Sequence, residues 1–135
     1  MYAEAAAPSI DDIAALAETA WRSLPAAFRE LAGDIAIRIL DFAEDEVLRD
    51  LDIEDPFELT GLYVGVDLTQ RSIMDPTPIQ PRVFLYRRPI LDEWIDRGDE
   101  PLGHLVAHVL IHEIGHHFGL SAEAMDALLE RADEA

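Results

Sequence analysis

All five histidines of this 135-residue chain fall between His104 and His117, and three of them sit in the run His112-Glu113-Ile114-Gly115-His116-His117. On a helix, two imidazoles four residues apart lie one turn from each other. They can therefore aim ring nitrogens at one point, the spacing with which helices grip a divalent cation such as zinc. Glu113, next to the first of the pair, is placed to take a proton from a water whose pKa such a cation lowers to roughly 7. The chain has no cysteine, so any metal must be held by imidazole and carboxylate. A catalytic zinc normally takes three protein ligands, and the third is not in this run. The same five-residue pattern also arises by accident, with imidazoles hydrogen-bonded in a helical core.

At about 100° per residue, His104, His108, His112 and His116 form a ladder that drifts roughly 40° per step, so their roles should differ. With Leu102 marking the core direction, His104 and His108 are expected at solvent-exposed positions, while His112 and His116 swing back toward the core. His104 lies twelve residues from His116, roughly 18 Å along the axis, too far to share a metal with it. His117 is expected on another face, supporting the site rather than forming it. Gly115 and Gly119 are small enough to let a neighbouring backbone come close and the chain reverse.

The helix that carries these residues is the clearest in the chain. Pro101 opens it, Leu102, Leu105, Val106, Val109 and Leu110 make one apolar stripe, and Gly119 stops it. Upstream, Ser9-Ile10-Asp11-Asp12 caps a first amphipathic helix to about Ser23, and a short second helix runs from Pro25 to Leu31, ended by Gly33. Asp34 to Phe42, with Ile35, Ile37 and Ile39 on one face, reads as a strand. The acidic stretch from Glu44 to Asp55 allows a helical turn or two. Gly61 to Gly65 is a short strand or turn, and Thr69 to Pro81 an irregular loop. Pro81 to Pro89 reads as a strand whose flanking prolines suit an edge position. A polar segment then leads to Pro101, and a last helix is expected from Ser121 to about Arg131.

Three segments in order resemble the minimal zincin-like metallopeptidases, small bacterial zinc peptidase domains related by motif to the aspzincins. They are Gly61-Leu62-Tyr63-Val64-Gly65-Val66-Asp67-Leu68-Thr69-Gln70-Arg71-Ser72, Leu85-Tyr86-Arg87-Arg88-Pro89-Ile90, and His112 to Ser121. The likeness covers roughly Pro25 to Leu129. It implies an α+β fold with a small mixed sheet packed on the His-Glu-x-x-His helix, in one zincin-like domain over residues 1–135 with 1–8 as a flexible start. It also implies one zinc ion on His112 and His116, Glu113 as general base, and a peptide or protein substrate paired to an edge strand, with Val83 to Arg87 a candidate strand near the site. Tyr86, Arg87 and Tyr63 are substrate or oxyanion contacts on this reading, and core packing accounts for them equally well.

The chain departs from that family at one place. Where the pattern H-E-x-x-H-x-x-G-x-x-D has its third ligand stands Ala122, which cannot bind zinc. Glu123 is one position off with one more methylene, Asp126 is one turn beyond, and water is the third alternative. Glu123 is the acid assigned to the metal, although an acid in the first turn of a helix needs no other reason. A catalytically impaired metal-binding or protein-interaction module is the competing expectation.

The formal charge of −18, with all ten cations arginine, repels polyanions, so no nucleic-acid partner is expected. The N-terminus lacks a basic and apolar leader, and no apolar run approaches the roughly 20 residues of a membrane span. A cytoplasmic protein with no membrane partner is the simplest expectation.

Overall fold

The computed structural model describes residues 6–65, 80–119 and 123–124. Helix α1 (Ile10–Ser23) starts where expected because Ser9 and Asp12 cap it reciprocally. The Ser9 hydroxyl accepts from the Asp12 N–H at 3.1 Å and the Asp12 carboxylate from the Ser9 N–H at 2.8 Å. Helix α2 (Ala26–Ala32), strand β1 (Ala36–Leu40), helix α3 (Asp45–Asp50) and a 3₁₀ turn (Pro56–Glu58) follow. Strand β2 (Gly61–Val64), strand β3 (Arg82–Tyr86), helix α4 (Arg87–Arg97) and helix α5 (Leu102–His117) complete the described elements. The loop expected from Thr69 lies outside the described residues until Gln80. Of the last expected helix, Glu123 and Ala124 are described, and both are helical.

The sheet is mixed, in the order β1-β3-β2, with β1 parallel and β2 antiparallel to β3. This corrects the edge position expected for β3, which is the central strand. The prolines that suggested an edge take no part in the ladder, since Pro81 precedes the strand and Pro89 lies in the first turn of α4. Being central, β3 is apolar on both faces. Val83 and Leu85 join the main core with Ile13, Ala17, Ile90, Leu105, Val106, Leu110 and Ile114, while Tyr86, backed by Phe84, packs with Ala43 and Leu48 in a second cluster. Helix α5 lies against α1, α4, β2 and β3. Its stripe is therefore covered by helix on one side and by sheet on the other.

Helix α4 is a second correction, because the segment after Pro89 reads as merely polar. A proline in the first turn removes an N–H that has no intrahelical partner anyway. Pro89, Ile90 and Leu91 then turn a buried face inward. The helix end is tied to the start of α5 by the Trp94 Nε1–H, which donates to the Glu100 carbonyl at 2.7 Å. In the expected free start, residues 1–5 lie outside the described residues, and Pro8 is held: its carbonyl accepts from Arg87 Nε at 2.6 Å.

Candidate active site

His112, Glu113 and His116 occupy the last turns of α5, and all three line one open pocket of about 290 Å³. Thr60 comes from the entry to β2, Glu93 and Arg97 from α4, and His108 and Val109 from the preceding turn of α5. Thr60 and α4 thus form the walls, and the histidine turns of α5 form the floor.

The three central side chains differ in their access to water. Nε2 of His112 is fully shielded, the Glu113 side chain is 13% exposed, and that of His116 is 58% exposed. Glu113 Oε1 lies 3.7 Å from His116 Nε2. Burial pushes the Glu113 carboxyl above its ordinary range, and the neighbouring His116 and His112 draw it back down. A half-buried acid with a raised proton affinity beside two imidazoles has the character required of a general base.

The other histidines divide as follows. His104 is exposed and meets Glu100 at 2.7 Å, as its outward position predicts. His108 departs from the exposed position expected for it: it is half-buried, lines the pocket and lies with its ring 4.6 Å from that of His112. The wheel placed it by angle from Leu102 alone, without the wall that α4 raises beside it. His117 is 1% exposed, with Nε2 3.0 Å from the Ala32 carbonyl and Nδ1 2.7 Å from the Tyr63 hydroxyl. A carbonyl only accepts, so Nε2 carries the proton of the neutral ring, and Tyr63 donates to Nδ1. His117 therefore bolts the end of α5 to both α2 and β2.

Tyr86 is 1% exposed, and its phenol is pushed up to about 12, mostly by burial and further by Glu44 and Glu113. The Arg87 guanidinium is committed to the Pro8 carbonyl and to Asp41 at 3.0 Å. Tyr63 is turned toward His117. Glu123 is exposed and outside the described residues that line the pocket, while Ala122 and Asp126 fall outside the described residues. Among the described residues no group of three His, Asp or Glu side chains able to hold one metal is found. The donor set fits zinc to the extent of two imidazoles and an adjacent acid opening on one pocket. Glu93, Arg97 and Thr60 were missed in the sequence, and no spacing signal could have found them, because tertiary packing brings them to the pocket.

The chain is thus an α+β domain whose longest described helix presents His112, Glu113 and His116 to an open pocket. The family model described as zincin-like metallopeptidase matches residues 32–131, and the chain belongs to that family. No curated protein matches the chain. No helix among the described residues is long and apolar enough to cross a membrane.

Proposed function

We propose that this protein is a zinc-dependent peptidase that hydrolyses peptide bonds of a peptide or protein substrate. The observation that carries the reading is the convergence of His112, Glu113 and His116 on one pocket, with the acid half-buried between the imidazoles. His112 and His116 would hold the ion, and Glu123, Asp126 or water would complete its shell. What zinc supplies there is polarisation of the substrate carbonyl and a lowered pKa for water. A Glu113 carboxylate oxygen takes the proton of the attacking water and then delivers it to the amide nitrogen as the C–N bond breaks. Tyr86 and Arg87, proposed from the sequence to orient substrate, are not among the described residues that line this pocket: Tyr86 is packed in the second cluster and Arg87 is committed to Pro8 and Asp41.

The test is Glu113→Gln in zinc-loaded protein. The amide keeps the shape of the acid and cannot take the proton, so kcat should fall by about 10²-fold or more with zinc content unchanged. Full turnover in this variant, measured on a mixed peptide library, removes Glu113 from the mechanism. Ala122 favours a second reading, in which the domain keeps the fold and a weak metal site but engages a partner without hydrolysis. Turnover by the parent protein that is abolished in Glu113→Gln excludes it.

A further inference from the structure

The segment Gly61-Leu62-Tyr63-Val64-Gly65 has no direct part in the chemistry above, yet it follows Thr60 of the pocket and packs against α5. Strand alternation turns Leu62 toward the second cluster, with Phe84 as its register partner, and turns Gly61 and Tyr63 toward α5. A Cβ on Gly61 would lie 2.8 Å from Val109 Cγ1, 3.1 Å from Glu113 Cγ and 3.4 Å from the Phe84 carbonyl oxygen. A side chain here would collide with Val109 and crowd Glu113, so glycine is what lets the strand lie this close to both. Two residues on, Tyr63 is pinned to α5 through His117. At the strand's end, a Cβ on Gly65 would meet the Tyr63 hydroxyl at 2.7 Å, so that residue too must be small for the pin to close.

We infer that β2 is the positioning element of the site. Gly61 is a positioning residue that lets the strand bear on Glu113 and fix its direction in the pocket, and the Tyr63–His117 bond sets the strand's place along α5. The contact of Gly61 with Val109 and Glu113 is geometry and needs no catalytic role. Its consequence for hydrolysis rests on the proposed role of Glu113, and the test separates the two.

The test is a double-mutant cycle of Gly61→Ala and Glu113→Ala, made in a Val109→Ala background. That background removes the nearest obstructing atom and keeps the chain foldable. Urea unfolding of the metal-free proteins reads the coupling, with no metal or activity involved. With Glu113 present, Gly61→Ala should raise the unfolding constant about fivefold more than it does with Glu113→Ala, as expected for side chains in contact. Equal effects in the two backgrounds overturn the inference, whether or not the protein proves to be a peptidase. In zinc-loaded protein, Gly61→Ala should lower kcat while KM and zinc content hold, and a merely structural glycine would lower stability without that split. An inactive parent protein would count against the peptidase reading and leave the unfolding cycle to decide this one.

Discussion

Glu113 is held in an environment that favours its neutral form, and this has a consequence for stability that needs no substrate. Burial raises its pKa in the folded protein above the unfolded value, the imidazoles only partly opposing. A raised carboxyl pKa means that the folded state binds the proton more tightly. The associated stability is fully present below the unfolded pKa and is lost as pH rises through the folded one. Glu113→Gln, neutral at every pH, escapes that loss. Metal-free Glu113→Gln should therefore melt at a higher temperature than the parent at pH 7 to 8, with the difference closing as pH falls through the carboxyl range. Thermal unfolding across that range checks it, and a parent that is the more stable at pH 8 would contradict it. That His112, Glu113 and His116 share one pocket was legible in the sequence because helix spacing is local: they needed only the 3.6-residue turn to be brought together. His108 was misplaced, and Glu93 and Arg97 missed, because their roles depend on where α4 packs.

At the scale of elements, α5 is held at its chemical end by one buried ring. His117 receives the Tyr63 O–H from β2 and donates to the Ala32 carbonyl at the end of α2, bridging residues 54 and 85 positions away in the chain. Tyr63→Phe keeps the ring and its packing but removes the donor to a nitrogen inside the protein. Because a polar atom left without its partner costs its desolvation, we expect a loss of about 1–3 kcal/mol by urea unfolding. Unchanged stability would show that the bond contributes nothing net. Most elements announced themselves by cap and period: Ser9 and Asp12 for α1, the branched alternation of β1, the stripe of α5. Strand β3 was legible as a strand but not as the central one, since proline carries edge information only when it occupies a ladder position. Helix α4 was hidden by Pro89 for the complementary reason, that a proline in a first turn looks like a break when no partner element is known.

The whole molecule joins a strongly acidic chain to membership of a zincin-like metallopeptidase family, and the proposed reading places a cation on two imidazoles of one helix. Family membership over residues 32–131 and the pocket shared by His112, Glu113 and His116 are what support placing the proposed ion there. Ala122 leaves the third position to be found. This part of the site was the least legible in the sequence, since one residue of register decides whether Glu123 reaches inward or only caps a helix. The most direct measurement is zinc content by elemental analysis after loading and exhaustive dialysis, on the parent, on Glu123→Ala, and on the double variant His112→Ala/His116→Ala. One zinc ion per chain is expected in the parent and none in the double variant, with a reduced content in Glu123→Ala if that carboxylate completes the shell. A parent that retains no zinc, or a double variant that retains all of it, would contradict the claim that these two imidazoles form the metal site.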